Sequence, residues 1–309
     1  MNGFGYENIQ KINGFSTENL ITKLNNFKNK LWKEFVFGGH LVSLVSPSLA
    51  FVTMTIFNMT IAWEFLLISY LGTYCIYNYD RYRGVNVDDF TNTERSEHIR
   101  KNLKQRYLFL IGCGILFFTM LFLYANILSI LFGIFLFVSG ILYADIFKKY
   151  TEKIVGFKNL YTSFSFSLLL IFTALYCNYS ISWTFIIFFA FIFLHYVVDT
   201  SFCDIKDMES DKKQNLKTLP IYFGKQKFLN FLNILNILSF VILFIAIVLN
   251  IVQPIAIALL VFCLYRIYYI TKAKNAKADI QHLSSVVVDA EYFFWPFIIL
   301  IGNFVMMTL

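Results

Sequence analysis

Residues 199–220 read DTSFCDIKDMESDKKQNLKTLP and begin where a long apolar segment ends. Successive residues of an α-helix turn by about 100°, so Asp204, Asp207 and Asp211 fall within roughly 60° of one another on one face. Asp199 points elsewhere on the same helical wheel. Three carboxylates on one face repel each other unless a cation lies among them. The stretch therefore predicts either a metal site at a helix end or a solvated charged face.

The residues around these aspartates indicate which cation and which ligand would fit. Carboxylate oxygens at this density suit Mg²⁺, which usually keeps several waters and shares its coordination shell with substrate phosphates. Lys212, Lys213 and Lys217 follow at once. Their positive charge favours an anionic ligand beside the metal.

The composition identifies the class of protein. Of the 309 residues, 58% are hydrophobic and only 15% are charged. Soluble domains carry about 25% charged residues, so the chain is an integral membrane protein. We therefore interpret its net charge of +7 as a guide to its orientation in the membrane, and we expect no nucleic-acid partner.

Apolar segments of about 20 residues, each long enough to cross a bilayer, recur along the chain. We predict nine spans: 35–57, 60–79, 106–124, 126–147, 160–177, 180–198, 228–250, 253–270 and 288–308. The connections alternate between short ones without Lys or Arg and long basic ones. The positive-inside rule therefore predicts a multi-pass protein of the cell (inner) membrane, with its N-terminus and four long loops in the cytoplasm and its C-terminus outside.

The chain divides into an N-terminal arm, 1–33, and a membrane-embedded domain, 34–309. In the arm, apolar residues recur at helical spacing from Leu20 to Leu31, with lysines among them. This pattern is typical of an amphipathic helix on an anionic membrane surface. A disordered tail is the alternative, and the spacing favours the helix.

A second acidic stretch, YNYDRYRGVNVDDFTNTER, occupies residues 77–95. On one continuous helix Asp80, Gly84 and Asp88 would lie within about 80° of one another, with Asp89 pointing away. Both acidic stretches follow spans that end on the cytoplasmic side. Two such clusters suggest a shared metal site.

The loop at residues 147–161 reads FKKYTEKIVGFKNLY. Lys158 and Asn159 stand where the fifth span begins. Backbone N–H groups and the helix dipole at that position would add to an anion-binding site. The alternative for the lysines of this loop is ordinary cytoplasmic charge.

These stretches resemble a known family. DIKDMESDKKQNLKTLP followed by FGKQK is similar to the second aspartate motif of the UbiA-type intramembrane prenyltransferases. Residues 77–95 look like a variant of their first motif, and GFKNLY looks like the Gly-x-Lys-Asn sequence that opens their fifth helix. The resemblance covers roughly residues 35–305. It implies an all-α membrane protein with nine transmembrane helices in a UbiA-like bundle, whose long cytoplasmic loops carry the polar site.

The resemblance also implies an activity: Mg²⁺-dependent transfer of a prenyl group from an isoprenoid diphosphate to an aromatic or lipid acceptor within the membrane. The expected metal ligands are Asp80, Asp88, Asp204, Asp207 and Asp211. Of these, Asp80, Asp88, Asp207 and Asp211 are the expected catalytic residues. The expected diphosphate-binding residues are Arg81, Lys158, Asn159 and Lys217.

Two other functions fit the same residues. A terpene cyclase of the same fold would use the diphosphate site without an acceptor, and a transporter or non-catalytic lipid-binding protein would use no chemistry at all. The chain also departs from the family pattern at Gly84, where a carboxylate is usual. That departure predicts a first metal position that is short of one ligand.

The predicted spans contain ionisable residues, among them His40, His195 and Arg266. His40 and His195 are costly in a bilayer and are therefore often functional. The sequence leaves two roles for His195: it forms a hydrogen bond between helices, or it lines an acceptor pocket. Arg266 is close enough to the end of its span that we expect its side chain to reach the membrane surface.

Overall fold

The chain folds as an all-helical bundle in a computed structural model. The structure describes residues 6–88 and 92–308, except for the side chains of residues 6–19, 87 and 88. The α-helices are α1 (Tyr6–Phe37), α2 (His40–Ser43), α3 (Val45–Ile56), α4 (Trp63–Arg83), α5 (Val85–Asp88), α6 (Thr93–Arg100), α7 (Leu103–Tyr124), α8 (Ile127–Asp145), α9 (Phe157–Tyr176), α10 (Trp183–Lys213), α11 (Leu219–Phe223), α12 (Lys225–Val248), α13 (Val261–Ala273), α14 (Ile280–His282) and α15 (Val288–Thr308). Two 3₁₀ segments, Phe147–Glu152 and Pro254–Leu260, precede α9 and α13, and a π-helical turn, Leu283–Val287, precedes α15.

Seven helical segments of the described chain are long and apolar enough to cross a membrane. They are Leu103–Tyr124, Ile127–Asp145, Phe157–Tyr176, Trp183–Lys213, Lys225–Val248, Pro254–Ala273 and Ile280–Thr308. An eighth span results if Leu20–Phe37 and His40–Ile56, which are bent by 49°, count as one. The predicted number of nine is therefore not confirmed. The difference lies in α4, whose 21 residues are about 31 Å long but end in a polar and charged stretch that contains Asn78, Asp80 and Arg81.

Helix α10 is the centre of the bundle and packs against both α9 and α12. One hydrophobic core fills the space between α3, α9, α10, α12 and α15, with Leu49, Leu170, Phe188, Leu243 and Trp295 all buried. A second core surrounds the other end of α10, where Phe202 packs near Phe228 and Tyr269. The 31 residues of α10 extend about 46 Å, longer than a hydrocarbon core of about 30 Å. The aspartates of residues 199–220 thus continue a membrane helix without a break.

Three short connections share one way of ending a helix. Asn58, Asn178 and Asn250 follow α3, α9 and α12 with positive φ angles of 50°, 51° and 53°. The residue after each asparagine donates its N–H to a carbonyl five residues earlier, at 2.8 Å in all three cases. This is the Schellman arrangement, which asparagine tolerates better than most side chains. It reverses the chain within a few residues, as the short predicted connections require.

The N-terminal helix does not stop at the predicted boundary after residue 33 but continues to Phe37. Gly39, two residues after this helix, is the N-cap of α2; it has φ 86° and lies against the side-chain amide of Asn78. A Cβ there would come within 2.6 Å of that amide, so only glycine allows α2 to approach α4 this closely. Leu20 and Leu24 are exposed on the preceding part of α1. Their exposure is compatible with the predicted membrane-surface helix, which stays a prediction.

The first acidic stretch differs from its prediction. Helix α4 ends at Arg83, Gly84 is its C-cap with φ −87° and ψ 2°, and a separate short helix, α5, follows. The expected spacing of Asp80, Gly84 and Asp88 on one continuous helix is therefore wrong. The physical reason is the low helix propensity of glycine, which favours a break at this position.

Candidate active site

A cavity of about 320 Å³ opens among α4, α8, α9, α10 and α15. We call it the central cavity. Its wall combines apolar residues, including Val45, Leu136 and Leu169, with most of the aspartates that the sequence singles out. The cavity joins the two acidic helices to the basic segment that precedes α9. Polar and apolar groups thus share one enclosed space.

The central cavity is unusually rich in charge for a space between membrane helices. Six aspartates line it: Asp80, Asp199, Asp204, Asp207, Asp211 and Asp289. Five basic residues line it as well: Arg81, Arg95, Lys148, Lys158 and Lys206. Charges are costly in a membrane and mark functional sites there. The near balance of signs within the described wall suits a ligand that brings both a cation and an anion.

Lys158 contacts two of the aspartates on the acidic face of α10. Its Nζ lies 2.6 Å from Asp204 Oδ1 and 3.7 Å from Asp211 Oδ2. The Nδ2 of Asn159 donates to the second Asp204 oxygen at 2.8 Å. Gly156 caps the start of α9 in the left-handed region, with φ 71°, and so turns the chain to bring both side chains to α10.

The carboxylates of α10 meet the requirements of a divalent cation. Asp211 is 3% exposed, and its Oδ2 accepts no hydrogen bond from the described residues. A buried carboxylate oxygen of this kind is costly unless a cation compensates it. Asp207 is on the same face and accepts a hydrogen bond from Asn92 Nδ2 at 3.1 Å. These oxygens are the hard donors that Mg²⁺ prefers, so the residues present fit this ion.

The α4 side of the central cavity is more open. Asp80 has a 41% exposed side chain and lies 3.9 Å from Lys148 Nζ. Arg81 is buried, with its guanidinium 4.4 Å from the centre of the Tyr77 ring. Gly84 lines the cavity, and among the described residues a Cβ there would meet only the Asp80 carbonyl oxygen, at 3.3 Å. A carboxylate at Gly84 would therefore have room to enter the site.

Seven of the nine predicted site residues line the central cavity. They are Asp80, Arg81, Lys158, Asn159, Asp204, Asp207 and Asp211. Lys217 is exposed and does not line it; its backbone joins Thr151 O and Gly156 N instead. The side chain of Asp88 lies outside the described residues. Lys217 therefore supports the loop that precedes α9, and the structure gives its side chain no contact with the aspartates.

Five charged residues of the described wall were not among the predicted site residues: Arg95, Lys148, Asp199, Lys206 and Asp289. Arg95 ends the quoted stretch 77–95, and Lys206 lies between two of the predicted metal ligands, so both could have been found. A regular helix turns Lys206 by about 200° from Asp204, so helical spacing alone does not group it with the aspartates. Asp289, on α15, belongs to none of the three motifs, and nothing in the sequence around it indicates that it lines the cavity.

His195 and Arg266 belong to a buried network at the α10, α13 and α15 contact. Arg266 donates from Nη2 to Asp199 Oδ2 at 2.5 Å and from Nε to Glu291 Oε2 at 3.0 Å. His195 Nε2 lies 3.0 Å from Glu291 Oε1. The expectation that Arg266 reaches the membrane surface is wrong, because its side chain is 0% exposed and two carboxylates hold it in the core. The structure places His195 between α10 and α15, where its partner is Glu291.

Aromatic rings form part of the wall of the central cavity. Phe166 stacks on Tyr196 with ring centres 5.1 Å apart, and Tyr196 stacks on Tyr292 at 5.5 Å. Tyr143 and Tyr161 form another stacked pair at 4.8 Å. All five rings line the cavity. Such faces attract cations through their quadrupoles and exclude water.

The order of these features along the chain identifies the protein family. The sequence matches the UbiA prenyltransferase family over residues 41–297, which is most of the chain. The chain belongs to the UbiA prenyltransferase family. The matched region includes both acidic stretches, Lys158 and the whole central cavity. No curated protein sequence matches the chain.

Solved structures of UbiA homologues share the fold of this UbiA chain. A homologue from Archaeoglobus fulgidus bound to GPP and Mg²⁺ is 12% identical, with a TM-score of 0.65 over 89% of this chain and 99% of its own. The apo structure of a homologue from Aeropyrum pernix K1 is also 12% identical, with a TM-score of 0.64 over 86% and 98%. A structure of digeranylgeranylglyceryl phosphate synthase is 17% identical, with a TM-score of 0.55 over 89% and 98%. At these identities the likeness establishes the fold alone.

Proposed function

We propose that this UbiA-family protein transfers a prenyl group from an isoprenoid diphosphate to a hydrophobic acceptor, aromatic or lipid, inside the membrane, and that it requires Mg²⁺. The observation that carries the proposal is the single cavity in which Asp204, Asp207 and Asp211 face Lys158 beside an aromatic wall. A metal-bound diphosphate fits the charged end, and an isoprenoid chain fits the apolar end. The homologue bound to GPP and Mg²⁺ supports the same ligand class.

The proposed metal ligands are Asp80, Asp204, Asp207 and Asp211, together with Asp88, whose side chain lies outside the described residues. Bound Mg²⁺ supplies charge that neutralises the diphosphate and stabilises its departure. Lys158 and Arg81 donate to the charge that develops on the leaving oxygen. Asn159 orients Asp204 through its 2.8 Å hydrogen bond.

Arg95, Lys148 and Lys206 join the proposed diphosphate site because they line the same cavity. They increase its positive charge around a ligand that carries several negative ones. Lys217 has no part in the proposal, since its side chain lies outside the cavity wall. Asp289 adds a carboxylate from α15 to the charged end.

The apolar end has two proposed tasks. The first task is to bury the prenyl chain, which would otherwise be exposed to water, against the apolar surface of Leu136, Tyr161 and Leu169. The stacked rings of Phe166, Tyr196 and Tyr292 stabilise the allylic cation and keep water from capturing it. The transfer therefore takes place where the substrate tail already resides, in the bilayer.

The test is identification of products by mass spectrometry. Native membranes containing the protein are incubated with labelled prenyl diphosphates of graded length, with and without Mg²⁺. We expect a prenylated lipid or aromatic product, with release of diphosphate only when Mg²⁺ is present. Cyclised hydrocarbon without an acceptor would identify a terpene cyclase instead. No Mg²⁺-dependent consumption of any prenyl diphosphate would contradict both activities.

The proposed orientation has the charged end of the cavity in the cytoplasm. The N-terminal helix would lie on that membrane surface as far as the bend before His40. His40–Ile56 and α4 would then form two spans, and the seven segments that are long and apolar enough on their own would complete the nine. The basic segments before α9 and after α10 would then lie on the cytoplasmic side, as the positive-inside rule favours.

A further inference from the structure

The buried network of His195, Asp199, Arg266 and Glu291 lies against the wall of the central cavity. Asp199 belongs to both, because it lines the cavity and bonds to Arg266. Tyr292 also belongs to both: its hydroxyl donates to Asp199 Oδ2 and its ring lines the cavity. The Tyr292 hydroxyl and the Asp199 carboxylate thus connect the reaction space with a buried charged cluster.

The charges of this network do not cancel within the described residues that compose it. Two carboxylates, Asp199 and Glu291, share one guanidinium, and the remaining partner is His195, which is neutral unless it binds a proton. The cluster can therefore take up one proton without gaining a net positive charge. In a low-dielectric site, neutralising an uncompensated charge is favourable.

A second metal site is the alternative use of this cluster. Ligand atoms of His195, Asp199 and Glu291 lie within 4.8 Å of one another. However, the Arg266 guanidinium bonds to both carboxylates and occupies the space between them. A divalent cation would have to approach that fixed positive charge, so the geometry disfavours it. A proton needs no such space.

We propose that Asp199, reached through the Tyr292 hydroxyl, accepts the proton that the acceptor loses during prenyl transfer. This rests on the proposed function. The carbon–oxygen bond to the diphosphate breaks, and its electron pair leaves with the diphosphate. The nucleophilic oxygen or carbon of the acceptor forms the new bond to the prenyl carbon. The proton that the nucleophile gives up passes to Tyr292 as the Tyr292 proton moves to Asp199.

The same geometry restricts the acceptor. Asp199 lines the cavity beside Tyr292, so an acceptor with a carboxylate or phosphate next to it would be repelled. The Tyr196 hydroxyl is buried and makes no hydrogen bond of standard geometry within the described residues. Tyr196 lies against Tyr292, and the two hydroxyls together offer hydrogen-bond partners to an uncharged polar group. The acceptor class is therefore one with an uncharged hydroxyl-bearing head.

The chain offers a matched control. Tyr269 and Tyr292 both donate a hydroxyl to Asp199, Tyr269 to Oδ1 at 3.0 Å, but only Tyr292 lines the cavity. Asp199→Asn should leave a folded protein, because the Arg266–Glu291 pair that remains is neutral. Asp199→Glu keeps the carboxylate and should recover part of the activity lost in Asp199→Asn.

Two readouts on purified protein separate proton transfer from diphosphate binding. The first is the Mg²⁺-dependent affinity for geranyl thiolodiphosphate, which does not react. The second is turnover of labelled geranyl diphosphate with a total lipid extract of the native membrane. We expect Asp199→Asn to lower turnover by about 100-fold and Tyr292→Phe by about 10-fold, in the range of general acid–base catalysis. Affinity should change less than about threefold in both, and Tyr269→Phe should change neither readout by more than that.

Full turnover in Asp199→Asn would overturn the proposal, and so would a parallel loss of affinity, which would give Asp199 a purely structural role. Absence of rescue by Asp199→Glu with unchanged affinity, or a product prenylated on a carboxylate or phosphate, would also count against it. Wild-type protein that binds the analogue but forms no product would refute prenyl transfer, and with it the role of Asp199 as proton acceptor. Wild-type protein that does not bind the analogue would refute the proposed function itself.

Discussion

Lys158 Nζ lies 2.6 Å from Asp204 Oδ1, and this contact joins the start of α9 to the acidic face of α10. A cation at a helix N-terminus is unfavourable because the helix dipole is positive there. The nearby carboxylates of Asp204 and Asp211 offset that cost. The pair therefore concentrates charge of both signs at one point of the cavity, as a metal–diphosphate ligand requires.

Replacing Lys158 should weaken diphosphate binding. A hydrogen bond to a charged group contributes about 1.5–3 kcal/mol, so Lys158→Ala should reduce the affinity for geranyl thiolodiphosphate by about 10- to 100-fold. The control is Lys217→Ala, which removes an exposed lysine from the neighbouring loop and should change the affinity by less than about twofold. Isothermal titration at saturating Mg²⁺ measures both. Equal losses in the two variants would mean that general basic charge, not the Lys158 position, binds the ligand.

Adding a carboxylate at Gly84 should strengthen metal binding. Gly84 lines the cavity at the end of α4, and its φ of −87° is open to any residue. We expect Gly84→Asp to lower the Mg²⁺ concentration for half-maximal turnover, since it adds a hard oxygen ligand near Asp80. Without metal, the extra repulsion should lower the thermal stability slightly. Gly84→Asn adds similar volume without charge, and an equal effect from it would argue against a ligand role.

The sequence predicted the site best where side chains suited to metal binding recur at the spacing of a regular helix. Asp204, Asp207 and Asp211 could be placed on one face because α10 is a regular helix. The same reasoning failed for Asp80 and Gly84, where one glycine ends the helix and alters every later angle. Asp289 and the Arg266 network were beyond reach, since they depend on how α13 and α15 pack against α10. Apolarity alone does not decide whether α4 crosses the membrane, because this helix ends in polar and charged residues of the site.

Breaking the buried network should destabilise the protein much more than breaking a surface pair. Arg266→Met leaves Asp199 and Glu291 buried without their cation, a change that costs about 3–5 kcal/mol. Arg83 forms a partly exposed pair with Asp145 at 2.7 Å, and Arg83→Met should cost about 1 kcal/mol or less. Thermal unfolding in detergent compares the two variants. Similar melting temperatures would show that Arg266 does not compensate the carboxylates.

The number of spans can be tested by the location of the termini. Nine spans place the C-terminus outside when the N-terminus is cytoplasmic, whereas eight place both on one side. We expect a reporter fused after Leu309 to be external and a reporter within residues 275–285 to be cytoplasmic. A cytoplasmic C-terminal reporter would show that α4, or the bent α1–α3 segment, does not cross.

The most direct test of the central claim is Mg²⁺-dependent turnover of prenyl diphosphate by variants of α10. Asp207→Asn and Asp211→Asn each remove one carboxylate charge from the cavity, while Glu209→Gln removes one from an exposed position on the same helix. We expect a loss of at least about 100-fold in both aspartate variants at limiting Mg²⁺, with wild-type turnover in Glu209→Gln and unchanged thermal stability in all three. Wild-type turnover in both aspartate variants at limiting Mg²⁺ would contradict a metal–diphosphate site on α10.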